Sequence, residues 1–142
     1  MGPDQSLSVL VVDDEPTIRA LVAKIVERAG FRADVARDGA DAIEKLQNER
    51  YNVLVVDLMM PIMDGYALID WVKKHAQPKP AIIVVSAGDS ALLRRLDGSV
   101  VHSVIRKPFD VDVLSDLISA AARSAEAPAG AEVIPFPREN VC

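Results

Sequence analysis

Three aspartates follow two strongly apolar runs of the chain. Asp13 and Asp14 come directly after a VLVV run, and Asp57 comes after a second VLVV run. If the two runs form neighbouring parallel strands, their carboxyl ends lie at one edge of a sheet, about 4.8 Å apart. Two like charges 4 Å apart repel each other by about 4 kcal/mol at an effective dielectric constant of 20. The three carboxylates therefore need either protons or a bound cation.

The ligand types favour magnesium. Carboxylate oxygens suit a hard ion, and a few carboxylates completed by water suit Mg²⁺ better than Ca²⁺. No histidine or cysteine lies near these acids in the sequence, so we do not expect zinc. The alternative for Asp13 or Asp14 is a simple role as the cap of the first helix, although this explains neither the pair nor Asp57.

A hydroxyl and an ammonium group end two further apolar runs. Ser86 closes the run AIIVVS, and Lys107 follows the run VHSVIR. Facing a metal-bound carboxylate, the two groups can hold a tetrahedral anion. Taken alone, Ser86 could be an ordinary buried hydroxyl, and Lys107 could simply pair with an acid. Three acids, one hydroxyl and one lysine, all at predicted strand ends, are a far more specific set.

The elements that must position these groups alternate along the chain. Continuous apolar runs predict strands covered on both faces, and apolar residues at helical spacing predict the helices between them. The order predicts an α/β fold, with a doubly wound, five-stranded parallel sheet of order 2-1-3-4-5 and flavodoxin-like topology. The predicted strands are Ser8–Asp13, Arg32–Ala36 at an edge, Val53–Asp57, Ala81–Ser86 and Val101–Arg106. The predicted helices begin at Pro16, Asp38, Gly65, Ser90 and Asp110.

Composition sets the limits on the class of protein. The chain has 142 residues, half of them apolar, which favours one domain with a sizeable core. We place that domain at residues 8–124, after an N-terminal extension (1–7) and before a Pro- and Ala-containing tail (125–142) that is either solvated or a docking segment. A net charge of −5 argues against nucleic-acid binding, and no apolar run could cross a membrane. The single cysteine favours a reducing cytoplasm.

The motifs VVDDEP, VVDLMMPIMDG, VVSAG and KPF occur in this order along the chain. Between about Leu7 and Arg123 the chain resembles the receiver domain of bacterial two-component response regulators, in particular the single-domain, chemotaxis-regulator type. The resemblance implies that Asp57 accepts a phosphoryl group, that Lys107 contacts the phosphoryl oxygens and that Ser86 is the hydroxyl residue of the switch. It implies a signalling protein that catalyses only its own phosphorylation and dephosphorylation.

The same resemblance implies the cofactor and the partners. Mg²⁺ would be bound by Asp14 directly, by Asp13 more through water, by Asp57 and by the backbone carbonyl of Met59. The expected partners are a sensor histidine kinase or a histidine phosphotransfer protein, and a downstream protein that binds the surface of the fourth and fifth helices. The resemblance also predicts a cis bond between Lys107 and Pro108.

The chain departs from the family pattern in the fifth strand. Val104 stands where the family usually has an aromatic residue, so the usual ring movement is absent or is carried by His102, which we otherwise expect to face solvent. Alternation places His102 on the same face as Val104.

Three other functions remain open. One is a flavin-binding or other small-molecule domain of the same topology, although the acidic DDEP loop lacks a phosphate cradle. Another is a hydrolase, although no G-x-S-x-G motif is present. The third is an atypical receiver that acts as an interaction module without phosphorylation. The sequence names neither the kinase nor the target, and the chain is either a complete single-domain regulator or an excised receiver.

Overall fold

A computed structural model describes residues 7–58, 65–76, 78–87 and 101–126. Within these ranges the chain alternates between strands and helices. The strands are β1 (Ser8–Val12), β2 (Arg32–Ala36), β3 (Val53–Asp57), β4 (Ala81–Ser86) and β5 (Val101–Arg106). The helices are α1 (Pro16–Arg28), α2 (Gly39–Asn48), α3 (Gly65–His75) and α4 (Val111–Glu126). Helix α4 is the fifth helix expected from the sequence, since the expected helix at Ser90 lies outside the described residues, as do residues 1–6 and 127–142.

The five strands form one parallel sheet in the order β2-β1-β3-β4-β5, as predicted. Strands β1 and β3 are direct neighbours, with Val12 paired to Val56. Asp13 and Asp57 each follow one of these two paired residues. Strand β2 lies at an edge, and only its last residue, Ala36, is buried, which agrees with its weak apolar pattern.

Two apolar clusters cover the two faces of the sheet. Successive residues of β1 and β3 alternate between the clusters, because side chains in a strand point to opposite faces in turn. One cluster contains the buried faces of α2 and α3, and the other contains those of α1 and α4. The sheet is therefore buried on both sides, which explains why its central strands are continuously apolar.

Local signals fix the helix ends. Pro16 begins α1, where its missing N–H costs nothing, and Gly30 follows the helix with a φ of 99°, in the region that favours glycine. Asp38 caps α2 by accepting a hydrogen bond from the backbone N–H of Asp41 at 2.8 Å. Asp110 accepts from two backbone N–H groups in the first turn of α4, which confirms its predicted capping role.

A bulge interrupts strand β5. Ile82 pairs with Val101, but Ile83 pairs with Ser103, so His102 has no counterpart on β4. Nδ1 of His102 lies 2.7 Å from Oγ of Ser103, and Nε2 is buried with no hydrogen-bond partner within the part of the chain that is described. The prediction that His102 faces solvent is therefore wrong for this nitrogen, and burial lowers the pKa of the ring. Simple alternation failed here because of the extra residue.

Candidate functional site

The three predicted aspartates meet at the carboxyl edge of the sheet. One carboxylate oxygen from each of Asp13, Asp14 and Asp57 lies within 4.8 Å of the others, and we call this group the acidic site. Asp13 and Asp57 are 3% and 5% exposed, whereas Asp14 is exposed to solvent. Two of the three charges are thus buried. Like charges repel each other more strongly in a buried site than in bulk water.

Lys107 reaches the two buried members of the acidic site. Its Nζ lies 3.3 Å from Oδ2 of Asp13 and 3.2 Å from Oδ2 of Asp57. Burial of the lysine opposes its charged form, but the charges of Asp57 and then Asp13, with the hydrogen bonds to both, outweigh that effect and raise the pKa of Lys107 above its ordinary value. The bond between Lys107 and Pro108 is cis, as predicted.

Backbone contacts fix the position of Asp13. Its Oδ1 accepts a hydrogen bond from the N–H of Glu15 at 2.9 Å, and its own N–H donates to the carbonyl of Ala36 at 3.2 Å. The residue before the first turn of α1 is Glu15, and no side chain caps this helix. The alternative that Asp13 or Asp14 serves as the helix cap is therefore wrong.

Arg19 also holds the Asp13 loop, and sequence reasoning missed it. Its Nη1 donates to the backbone carbonyl of Asp13 at 2.9 Å. An arginine near the start of the helix that follows an acidic loop was the available signal, because such a side chain can reach back to the loop. The contact places a positive charge near the acidic site without occupying a carboxylate.

Ser86 and Lys107 lie on neighbouring strand ends. Ser86 is fully buried at the end of β4, one residue beyond Val85, which pairs with Asp57. The backbone N–H of Lys107 donates to the carbonyl of Ser86 at 2.9 Å. The structure therefore brings the predicted serine and lysine to the same edge as the aspartates.

Gly65 packs against the backbone that carries Asp57, another contact that sequence reasoning missed. Its N–H donates to the carbonyl of Leu58 at 3.0 Å. A Cβ atom at this position would lie 2.6 Å from Cα of Leu58 and 2.7 Å from the carbonyl oxygen of Asp57. The start of α3 can approach β3 this closely only because residue 65 has no side chain.

The donor set of the acidic site fits a hard divalent cation. It consists of carboxylate oxygens, close enough together for one ion, and among the described residues it is the one group of acids and histidines with this spacing. Met59, the predicted carbonyl ligand, lies outside the described residues.

The sequence profile of the response regulator receiver domain matches residues 9–119 of the chain. The chain belongs to this family. The receiver domain has the predicted fold, and the recognition made from its motifs is confirmed.

Relatives of this receiver domain differ in length. The domain is 31% identical to protein PilG of Pseudomonas aeruginosa over 116 residues. This alignment covers 80% of this chain and 86% of PilG. The domain is 29% identical over 122 residues to the sensor histidine kinase RcsC of Escherichia coli, which covers 86% of this chain but only 13% of RcsC. The same domain thus occurs both in proteins of similar size and as a small part of much longer ones.

A solved structure shares the fold of this receiver domain. The response regulator TrrA of Thermotoga maritima, in complex with Mg²⁺ and BeF, superposes with a TM-score of 0.73 at 27% identity, covering 81% of this chain and 98% of that one. Among the helices described here, none combines the length and the apolar composition needed to span a bilayer.

Proposed function

We propose that this receiver domain is a phosphorelay switch that accepts a phosphoryl group on Asp57 in a magnesium-dependent reaction. The donor would be a phosphohistidine of a sensor histidine kinase or of a phosphotransfer protein in the cytoplasm. The proposal rests on one observation: three carboxylates and the Lys107 ammonium group meet at a single edge of the sheet.

Asp57 is the acceptor that the geometry favours. It ends the central strand β3, its carboxylate lies 3.2 Å from Lys107, and it occupies the position that the family resemblance assigns to the acceptor. In the transfer, a carboxylate oxygen of Asp57 attacks phosphorus, an O–P bond forms, and the P–N bond to the donor imidazole breaks with its electron pair going to that nitrogen. Lys107 then donates hydrogen bonds to the phosphoryl oxygens, because such reactions depend on positioning and charge neutralisation.

The metal would be held by Asp13, Asp14 and Asp57, with the carbonyl of Met59 as the ligand that the family resemblance adds. When bound, Mg²⁺ neutralises the carboxylates and the negative charge of the transferred group. The complex of the similar TrrA with Mg²⁺ and BeF supports this assignment. Asp13 and Asp57 are buried at the edge of the sheet, whereas Asp14 is exposed to solvent.

The output would come from the contacts of Ser86 and Lys107 with the phosphoryl group. Hydrogen bonds to charged groups contribute about 1.5–3 kcal/mol each, so two supply roughly 3–6 kcal/mol. Moving a conformational equilibrium from 1:99 to 99:1 takes about 5.5 kcal/mol. Both contacts are therefore needed, and their effect would change how a target protein binds the surface of β5 and the flanking helices.

Labelling by a small phosphodonor tests the acceptor. Incubation with acetyl phosphate and Mg²⁺ should add the mass of one phosphoryl group to the wild-type chain and none to Asp57→Asn. The matched control is Asp70→Asn, which removes an exposed carboxylate of α3 that pairs with Lys74 and should leave labelling unchanged. Label on Asp57→Asn, for example at Asp13, would show that the acceptor is another residue.

The buried position of Val104 favours one alternative, an interaction module that works without phosphorylation. Val104 is 7% exposed and packs in the cluster of α2 and α3, so no aromatic ring is present there to change position. A pull-down of partners with and without a beryllofluoride mimic separates the two functions. A switch gives different partners in the two states, whereas a constitutive module gives the same partners.

A further inference from the structure

A groove lies at the amino-terminal edge of the sheet, opposite the acidic site. It has a volume of about 480 Å³ and is bordered by the last turns of α2 and α3 and by the residues that precede β3 and β4. We call it the end groove. Its lining combines apolar and aromatic side chains with polar ones: Leu46, Tyr51, Trp71, His75, Ala76, Pro78 and Pro80, together with Gln47, Glu49 and Arg50.

Contacts within the protein hold the aromatic side chains of the end groove. The rings of Trp71 and His75 stack with their centroids 5.1 Å apart, and Nδ1 of His75 lies 3.1 Å from the carbonyl of Trp71. The hydroxyl of Tyr51 donates to Asp34 at 2.6 Å, and Glu49 lies 3.0 Å from the same oxygen. Rigid rings lose little entropy on binding, which favours ligand capture.

Grooves lined by aromatic rings are the usual binding sites of proline-containing extended segments. The chain carries such a segment beyond α4: residues 133–137 read VIPFP, with Pro135 and Pro137 alternating with apolar neighbours. We infer that residues 133–137 of the chain's own tail bind in the end groove.

The tail is long enough to reach the end groove from α4. Ala121 and Ala122 in the last turns of α4 belong to the same apolar cluster as Ala81, and Pro80, directly before Ala81, lines the groove. The end of α4 and the start of β4 therefore belong to one packed layer of the fold. Residues 127–132 span up to roughly 20 Å when extended.

Charge and tethering favour the chain's own tail over a separate partner. The segment is preceded by Glu132, and Arg50 lines the end groove, so this flanking charge has an opposite charge there, whereas Glu49 is already paired with Arg32 at 3.1 Å. A tether of six residues also gives a local concentration roughly in the millimolar range, at which a weak contact is populated. Binding at this edge leaves the acidic site accessible, so the inference does not depend on the proposed function.

Trp71 is the only tryptophan of the chain and therefore reports directly on the end groove. The test compares acrylamide quenching of its fluorescence in the full wild-type chain and in the tail variant Ile134→Ser/Phe136→Ser. If the segment covers the ring most of the time, the quenching constant of the variant should be about twofold higher. The control, Val141→Ser, makes the same kind of change in the tail outside the segment and should match the wild type.

Two results would overturn the inference. Equal quenching in the wild type and the Ile134→Ser/Phe136→Ser variant would show that the segment does not cover Trp71. Protection that increases with protein concentration would assign the segment to the groove of a second copy instead. The indole N–H signal in a ¹H–¹⁵N spectrum gives an independent readout: it should shift between the wild type and the tail variant, and an unchanged position would also contradict the inference.

Discussion

The ammonium group of Lys107 lies 3.2 Å from a carboxylate oxygen of Asp57, although fifty positions of sequence separate the two residues. The same ammonium group lies 3.3 Å from Asp13. A single lysine thus partly neutralises two buried carboxylates, at the place where the proposed phosphoryl transfer needs positive charge.

The first prediction concerns the contribution of Lys107 to stability without metal. Lys107→Ala leaves Asp13 and Asp57 facing each other with no cation, and its two charge-assisted contacts are lost. We expect the free energy of unfolding in magnesium-free buffer at neutral pH to fall by roughly 3–6 kcal/mol, measured by urea denaturation. The control is Lys74→Ala, which removes an exposed pair with Asp70 and should cost less than about 0.5 kcal/mol.

Metal binding gives the second prediction. Magnesium at roughly ten times its dissociation constant should stabilise the wild-type chain by about 1.4 kcal/mol, measured as a shift in thermal unfolding. Asp14→Asn should show a much smaller shift, because it removes the exposed member of the acidic site, while its stability without metal should not fall. Asp70→Asn should respond to magnesium like the wild type. A full magnesium response in Asp14→Asn would remove Asp14 from the set of ligands.

Alkaline unfolding gives the third prediction. Burial, with the hydrogen bonds to Asp34 and then Glu49, raises the pKa of Tyr51 well above its ordinary value of 10.0. The folded chain therefore keeps a proton that the unfolded chain loses, so the stabilisation is complete below pH 10 and decreases as the pH rises further. Tyr51→Phe should be less stable at neutral pH by about 1 kcal/mol, and its stability should fall less steeply above pH 10.

The titration of Lys107 also lowers the stability of the fold in this alkaline pH range. The pKa of Lys107 is raised, so its charge stabilises the fold below the ordinary lysine pKa of 10.5 and this contribution also disappears at higher pH. The tyrosinate absorbance separates the two groups, because lysine does not contribute to it, and the difference between the wild type and Tyr51→Phe, which keeps Tyr66, isolates Tyr51. If Tyr51→Phe and the wild type lose stability equally between pH 10 and 12, the hydroxyl does not keep its proton in the fold.

The fourth prediction concerns Gly65. Gly65→Ala puts a Cβ within 2.7 Å of the Asp57 carbonyl oxygen and even closer to Cα of Leu58, so the start of α3 must move. We expect a loss of about 1–3 kcal/mol and slower labelling of Asp57 by acetyl phosphate. Gly30→Ala is the matched control, because its left-handed backbone costs about 1–2 kcal/mol but lies after α1, away from the acidic site. Equal labelling rates in the two variants would show that Gly65 does not position the acceptor.

Most of the fold could be predicted because the central strands carry a two-sided apolar pattern. Strands β2, β3, β4 and β5 have the predicted bounds, and β1 ends one residue earlier, at Val12. The meeting of Asp13, Asp14 and Asp57 followed from the strand order alone. The roles of these residues in phosphoryl transfer stay predictions, as do the domain bounds 8–124.

The features that could not be predicted depend on tertiary contacts. The bulge at His102 requires the pairing of β5 with β4, and strict alternation gives no sign of it. The hydroxyl of Tyr51 meets Asp34 only after β2 and β3 have joined the sheet. The close approach of Gly65 to Leu58 likewise has no local signature beyond the glycine itself.

The backbone hydrogen bond from the N–H of Lys107 to the carbonyl of Ser86 joins the ends of β4 and β5. A movement of either residue is therefore expected to affect the other. Within β5, Val104 contacts the layer of α2 and α3, and Ile105 contacts the layer of α1 and α4. A small inward pull at this edge would therefore travel through aliphatic packing to both sides of the molecule at once, without any ring having to turn.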